Sequence, residues 1–204
     1  KVSIQDGAIV PSLAYPSVSA DTFIDTGNIY TNQGSSTMLY VGRSSVSTNN
    51  ANLRSASLIN MDFSGLPLPG TYEVVNATLD LTAVGAYQST KIAVSEIVSA
   101  WSESSVYAYP AGNTSSWASQ GSFSEDDIDV PINDAQWVNG TGVFSFNVTA
   151  YVQHALDANV AELDVFLFPV ELENGVNGRV QFASSESSNI DVRPRLNLTY
   201  RTTA

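Results

Sequence analysis

An acidic run lies in the second half of the chain, where Glu125, Asp126, Asp127 and Asp129 stand within five residues. Proteins bind calcium through six to eight oxygen atoms, several of them from carboxylates that lie close together. The run therefore predicts a calcium site with Asp126, Asp127 and Asp129 as ligands. The EF-hand pattern is absent, because the glycine of its sharp turn and its closing glutamate are both missing. A solvated acidic loop without a metal is the alternative interpretation.

Aromatic residues are concentrated between residues 101 and 137, among Ser, Asn and Gly. Flat rings stack on sugar faces, and neighbouring hydroxyl and amide groups hydrogen-bond sugar hydroxyls. Trp117 stands in the polar stretch NTSSWASQG, so we expect it to be exposed and to stack on a glycan together with Tyr107 and Tyr109. Packing beneath long loops is the alternative for these rings, and we assign Trp101 to the core.

No signature of catalysis is present in the sequence. The single histidine, His154, falls off the apolar stripe of a predicted helix, which favours a solvated side chain over a catalytic base. Neither a G-x-S-x-G nucleophile elbow nor an H-E-x-x-H metal helix occurs. The acidic run does not form the alternating carboxylate pair of a jelly-roll glycosidase, because Val130 replaces the last acid. We therefore predict a protein that is not an enzyme.

The charge and composition limit the possible partners. The 204 residues carry a formal net charge of −12, with 8 Lys and Arg against 20 Asp and Glu. Nucleic-acid binding needs clustered basic residues and is disfavoured, whereas calcium and neutral polysaccharides are compatible with this charge. Cysteine is absent, so the chain forms no disulfide and no thiolate metal site. No stretch reaches the eighteen or so apolar residues that a membrane span requires.

The elements that must position these residues are strands. Short alternating stretches, each bounded by Gly, Pro, Asn or Ser, recur along the chain without an internal repeat. About ten antiparallel strands of this kind predict an all-β, jelly-roll-like β-sandwich. The stretch FLF at 166–168 is apolar on both faces, which predicts a central strand. The predicted strands are 22–25, 38–42, 54–63, 72–84, 91–101, 127–132, 142–148, 162–170, 178–184 and 194–202.

One short helix is predicted near 149–158, because apolar residues recur there at helical spacing. Thr149 is expected to cap it, and Val152, Ala155 and Leu156 to form its apolar stripe.

Five sequons for N-glycosylation predict an extracellular glycoprotein. Along the stretch 72–84, Val75, Ala77 and Leu79 alternate with polar residues, so we expect Val75 to face the core and Asn76 to point away from it. The candidate glycosylation sites are Asn76, Asn113, Asn139, Asn147 and Asn197.

Several motifs, taken in order, resemble a known family. They are NLRSASLINMDFSGLP at 52–67, WSESSVYAYP at 101–110, FNVTAYVQ at 146–153, FASSES at 182–187 and RPRLNLTY at 193–200. This set resembles the DNRLRE (disaggregatase-related) domains from about Asp21 to Tyr200. The resemblance implies a jelly-roll sandwich on an exported bacterial or archaeal protein, related to non-catalytic carbohydrate-binding modules. Asn147 stands where the family has an aspartate, which argues against a metal at that position.

The first eighteen residues precede the recognisable domain, so we divide the chain into an extension, 1–18, and a single sandwich domain, 19–204. In the extension, Val2, Ile4, Ala8 and Val10 fall on one side of an extended strand. A lone apolar strand in water pairs with any open edge, and such residues are rare in linkers. It could return to its own sheet or add to the sheet of the next copy, and we predict the second, donor-strand arrangement.

A head-to-tail contact of this kind does not close and therefore builds a filament. We predict a non-catalytic subunit of an extracellular or cell-surface homopolymer with a role in adhesion or biofilm formation. The alternative is a carbohydrate-binding module of a secreted polysaccharide-degrading enzyme.

Overall fold

The described part of the protein is an all-β sandwich with one short α-helix, and every strand pair in it is antiparallel. The predicted fold class is therefore confirmed. The computed structural model describes residues 12–14, 17–27, 31–44, 53–63, 72–97, 99–104, 134–160, 162–173 and 177–202. Its strands are β1 (Ser12–Ala14), β2 (Ser17–Asp25), β3 (Met38–Ser44), β4 (Leu53–Asp62), β5 (Tyr72–Tyr87), β6 (Thr90–Glu96), β7 (Asp134–Val138), β8 (Gly142–Asn147), β9 (Glu162–Leu172), β10 (Gly178–Ala183) and β11 (Arg195–Thr202).

The strands form one continuous ladder that runs around the core. Its order is β1–β11–β5–β10–β3–β4–β9–β6–β7, while β2 pairs with β4 and β8 pairs with β5. β9 lies between β4 and β6, which confirms that the FLF strand is central. The predicted strand 127–132 lies outside the described residues, and β7 was not predicted.

Two apolar clusters lie on opposite faces of β4 and β9. Ile59, Met61 and Phe63 belong to the main core, whereas Leu58 and Phe166 face the other side. This second group, which we call the outer cluster, comprises Ile24, Ala56, Leu58, Ile97 and Phe166, with Trp101 and Phe168 packed against it. The largest fully buried side chains of the main core are Phe63, Phe146, Phe182, Leu39, Ile59, Met61, Leu79, Leu81, Ile92 and Leu163.

The helix α1 (Thr149–Asp157) closes one end of the main core and confirms the predicted helix. Its buried residues are Tyr151, Val152 and Ala155, and Leu156 is partly buried against the same core. His154 is exposed, as expected, and its Nδ1 lies 3.1 Å from Glu96 Oε2.

The predicted cap of this helix is wrong. Val148 occupies the N-cap position and makes no side-chain capping bond. Thr149 Oγ1 instead accepts a hydrogen bond from the Ala77 amide at 2.9 Å, which ties the helix to β5. Asn147 Oδ1 accepts a hydrogen bond from the Thr149 amide at 3.0 Å, so the Asn147 side chain satisfies a backbone amide at the start of the helix.

Single-residue bulges shift the alternation at several points of the ladder. Asn76 pairs with Thr199 but Val74 pairs with Tyr200, so Val75 is an extra residue in β5. The prediction that Val75 faces the core is therefore wrong, because the bulge turns Val74 inward instead. Val84 in β5 and Val170 in β9 are extra residues of the same kind. These bulge valines are 46%, 38% and 42% exposed, in chain order.

Part of the predicted N-terminal extension joins the chain's own sheet. β1 pairs with β11, with Ser12 opposite Tyr200 and Ala14 opposite Leu198. The predicted boundary between residues 18 and 19 falls within β2, which pairs with β4. The donor residues Val2, Ile4, Ala8 and Val10 lie outside the described residues, so their pairing stays a prediction.

Candidate functional site

A pocket of about 250 Å³ opens on the side of β4 and β9 that faces away from the main core. Asn60 and Asp164 are directly opposite each other on these strands. Their chain neighbours, such as Ile59 and Val165, point into the main core, so alternation directs the two polar side chains outward. The residues that give the pocket its chemistry are Asn60, Trp101, Ser102, Glu103, Glu162 and Asp164.

Hydrogen bonds hold the polar groups of this pocket in place. Asn60 Nδ2 donates to Asp164 Oδ1 at 2.9 Å and, more weakly, to Glu162 Oε2 at 3.4 Å. Ser19, the extra residue at a bulge in β2, donates its hydroxyl to Asn60 Oδ1. These contacts fix the side chain of Asn60 between two carboxylates.

The indole of Trp101 is oriented from both sides. Its Nε1 donates to Asp164 Oδ1 at 2.9 Å, and its ring packs against the outer cluster. Trp101 packs against the outer cluster, in keeping with its assignment to the core, but it is only half-buried. The result is an aromatic ring of fixed orientation that lines an open pocket with carboxylates and an amide at its edge.

The pocket is electrostatically negative. Glu103, Glu162 and Asp164 line it, and no lysine or arginine of the described chain does. Burial raises the pKa of Asp164, although the hydrogen bonds from Asn60 and Trp101 oppose that shift. Such a site accepts hydrogen bonds from hydroxyl groups and repels anions.

A cluster of three acids, which we call the acid triad, adjoins the pocket through Glu103. Asp21, Glu103 and Glu186 each place one oxygen atom within 4.8 Å of the others. Asp21 is 1% exposed and accepts a hydrogen bond from the Ser185 amide at 2.7 Å. Burial, reinforced by the neighbouring Glu186 carboxylate, raises the pKa of Asp21 to about 8.

A larger pocket, of about 470 Å³, lies where β5 meets the start of α1. It is less suited to sugar recognition because the Gln153 side chain is already engaged, accepting from the Val74 amide at 2.7 Å and donating to Asp157. Among the described residues that line it, Tyr151 is the one aromatic residue; it is buried, and its hydroxyl donates to the Val94 carbonyl oxygen at 3.2 Å.

Several predicted site residues lie outside the described part of the chain. They are the stacking candidates Trp117, Tyr107 and Tyr109, the calcium candidates Asp126, Asp127 and Asp129, and the sequon asparagine Asn113. Their roles stay predictions. Trp137, in the same aromatic segment, is 39% exposed on β7, which ends the ladder.

The described sequons do not share one environment. Asn76, Asn139 and Asn147 are exposed, and the outward orientation predicted for Asn76 is confirmed. Asn197 is half-buried, and its Nδ2 donates to Asp80 Oδ2 at 2.5 Å. Thr78 of β5 pairs with Asn147 on one side and with Asn197 on the other, so three strands place these two sequons in one row.

A β-sandwich with an oriented indole in an open polar pocket is typical of domains that bind carbohydrate. The model of carbohydrate-binding module family 96 matches residues 12–200, which is nearly the whole chain. The chain therefore belongs to carbohydrate-binding module family 96. This finding supports the predicted relation to carbohydrate-binding modules, whereas the resemblance to DNRLRE domains in particular stays a prediction.

No curated protein sequence matches the chain closely enough to indicate a relationship. Among the described residues, no helix has the length and apolar character needed to cross a bilayer.

Proposed function

We propose that this protein binds a neutral polysaccharide through the pocket around Trp101, as a non-catalytic domain of an extracellular protein. The observation that carries the proposal is the indole held by Asp164 and the outer cluster at the wall of an open pocket. An immobilised ring stacks on a sugar without losing further side-chain entropy on binding. Membership of a family of carbohydrate-binding modules supports the same function.

The charge of the pocket supports a neutral ligand. Carboxylates of Glu162 and Asp164 accept hydrogen bonds from sugar hydroxyls, and the Asn60 amide fixes their positions. A polymer of uronic or sulfated sugars is negatively charged, as are these two acids and the protein as a whole, whose net charge is −12. Repulsion therefore disfavours anionic polysaccharides.

Electrophoresis in gels that contain a neutral β-glucan, a neutral α-mannan or a uronic-acid polymer tests this function. The parent protein should be retarded by at least one neutral polymer and not by the uronic-acid polymer. Trp101→Ala should raise the apparent Kd for the polymer, obtained from the retardation, about tenfold or more, because aromatic residues at the centre of a binding site contribute most of the binding energy. Trp137→Ala is the matched control, since Trp137 is exposed on a strand that does not line the pocket.

Other outcomes identify other sites. Loss of binding in Trp117→Ala with retention in Trp101→Ala would move the site to the predicted residues Trp117, Tyr107 and Tyr109. Retardation by the uronic-acid polymer alone would contradict a neutral ligand. An equal mobility of Trp101→Ala and the parent in every gel that binds the parent would reject this pocket.

We propose filament formation as a second function, with residues 2–10 as the donor strand for the next copy. The observation that favours it is the apolar alternation of Val2, Ile4, Ala8 and Val10 directly before β1, which lies at one end of the ladder formed by the described strands. The pairing of β1 with β11 in the same chain limits the donated segment to residues before Ser12. Native material should sediment as a polymer, and a variant that lacks residues 1–10 should sediment as a monomer. A monomeric parent would contradict this function.

We also propose that Asn76, Asn139 and Asn147 carry N-glycans, because their side chains are exposed. Asn197 should be modified less, because its amide nitrogen is held by Asp80. Mass spectrometry of glycopeptides from native material gives the occupancy of each site. Full occupancy at Asn197 with none at Asn76 would contradict this ranking.

A further inference from the structure

The acid triad joins three parts of the chain that are far apart in sequence. Asp21 lies in β2, Glu103 in the loop that follows β6, and Glu186 in the turn that follows β10. Within the described residues, no lysine or arginine forms an ion pair with any of the three. Three carboxylates that meet without a basic partner need another source of positive charge.

One oxygen atom of each carboxylate is held by a donor of the protein. The Ser185 amide donates to Asp21 Oδ2 at 2.7 Å, and the Ser185 hydroxyl donates to Glu186 Oε1 at 2.8 Å. The Asp21 amide donates to Glu103 Oε1 at 2.8 Å. Hydrogen bonds of this kind orient the carboxylates that bind metal ions in proteins.

The remaining oxygen atoms of Asp21 and Glu186 have no such donor. Asp21 Oδ1 and Glu186 Oε2 are buried, and neither has a hydrogen-bond partner in the described structure. Asp21 as a whole is 1% exposed and contributes an oxygen to the triad. Burying a carboxylate oxygen without a hydrogen-bond partner costs free energy, so the two oxygens call for a partner such as a bound ion. This observation is separate from the proximity of the three acids.

We propose that Asp21, Glu103 and Glu186 bind one calcium ion. Their oxygens lie within 4.8 Å of one another, and two oxygens on opposite sides of a calcium ion are about 5 Å apart, so one ion reaches all three. A site made of carboxylate oxygens, without histidine or cysteine, favours a hard cation over zinc or copper. Calcium tolerates an irregular cage and completes its coordination shell with water. Water can reach the ion on the side of Glu103, which is partly exposed and lines the pocket.

Such an ion would link β2, the Glu103 loop and the turn after β10. This role is independent of carbohydrate binding and would hold even if the pocket binds no sugar. It assigns calcium to a site other than the acidic run at Asp126, Asp127 and Asp129.

Isothermal titration of calcium chloride into protein freed of metal with a chelator tests the proposal. One site should be seen in the parent, and calcium at about 100 times its Kd should raise the Tm by about 5 to 10 °C. Asp21→Asn and Glu186→Gln should weaken calcium binding about tenfold or more. Asp191→Asn is the matched control, because Asp191 is an exposed acid outside the triad and should leave binding unchanged.

Two further variants keep the test decisive. Glu103→Gln alters a ligand that is only partly buried and should weaken binding even if the change at the buried Asp21 prevents folding, which circular dichroism reports. The triple variant Asp126→Asn, Asp127→Asn, Asp129→Asn should bind calcium like the parent. Absence of calcium binding by the parent would overturn the proposal, as would loss of binding in the triple variant with retention in Glu103→Gln.

Discussion

Asp21 and Asp25 lie four residues apart on β2, and both are buried. Asp25 Oδ2 lies 3.4 Å from Arg179 Nη2 and accepts a hydrogen bond from the Ser55 hydroxyl. Arg179 is itself held over the ring of Tyr40, 4.0 Å from its centre. Asp21, by contrast, faces two further acids, and its Oδ1 has no partner among the described residues.

The difference shows that burial alone does not assign a role to a carboxylate. Asp25 is neutralised by a side chain of its own protein, so its position is explained by the fold. Asp21 is surrounded by charge of its own sign, so it requires a proton or a cation. Whether a buried carboxylate is structural or able to bind a cation therefore depends on the side chains that distant parts of the chain place beside it.

The largest expected effect is a loss of stability with rising pH in the calcium-free protein. Burial and Glu186 raise the pKa of Asp21 from 3.8 to about 8, so the folded state keeps a proton that the unfolded state releases. The free energy of unfolding should therefore fall between about pH 4 and pH 8, by about 1.4 kcal/mol for each unit of pKa difference. Urea unfolding in a chelator, at a series of pH values, measures this slope.

Asp21→Asn is the control for this slope, because it removes the titrating group and leaves the other acids in place. The variant should lose most of the fall in stability, whereas Asp191→Asn should follow the parent. Added calcium should flatten the slope of the parent, since the ion competes with the proton. Equal slopes for the parent and Asp21→Asn would show that Asp21 ionises as freely as in the unfolded chain.

A smaller effect should follow when Asp25 loses its partner. Arg179→Met leaves the Asp25 carboxylate buried without a cation and removes the contact with the Tyr40 ring, which should destabilise the protein by about 3 kcal/mol. The loss in free energy of unfolding should be the same with and without calcium, because Asp25 is not part of the acid triad. Chemical unfolding of both proteins in calcium and in chelator measures it.

Arg195→Met is the matched control for that change. Arg195 pairs with Asp191 at 3.6 Å, and both side chains are more than half exposed. Exposed pairs contribute little, so the cost should stay below about 1 kcal/mol. A cost for Arg179→Met no larger than that of Arg195→Met would mean that the Asp25 carboxylate is not held by its arginine.

The smallest effect concerns an acid with a neutral partner. Asp80 accepts a hydrogen bond from the half-buried amide of Asn197, so Asn197→Ala should cost about 1 kcal/mol in protein without glycans. Asn76→Ala, at an exposed position of β5, should change the free energy of unfolding by less than about 0.5 kcal/mol. If both substitutions cost the same, the bond between Asn197 and Asp80 adds no stability.

Local alternation predicted much of the sheet. Ile59 and Met61 of β4 face the main core and Leu58 faces the outer cluster, as strict alternation requires, because side-chain direction in a regular strand depends only on parity. The same logic failed at Val75, because a bulge depends on the partner strand and leaves no clear mark in the bulged sequence. β7 was missed because its sequence, DAQWV, contains Asp, Ala and Gln and only two residues of high strand propensity, Trp137 and Val138.

The candidate site was harder to predict than the fold. The run at Asp126, Asp127 and Asp129 is conspicuous because its acids are neighbours in sequence. The acid triad draws on positions 21, 103 and 186, whose proximity is created only by the pairing of strands and the course of loops. Trp101 was assigned to the core because the sequence shows an aromatic ring but not how much of it a loop leaves uncovered.

The extra valines of β5 and β9 bear on how this chain tolerates changes in length. Each bulge makes one strand longer than its neighbour by a residue, which bends the ribbon and helps it curl around the main core. Substituting a polar residue for Val75 would leave that bend in place. Deleting Val75 would keep Val74 on the core side, opposite Tyr200, but would remove the bulge, so a change in length at this position alters the curvature of the sheet and not which side chains are buried.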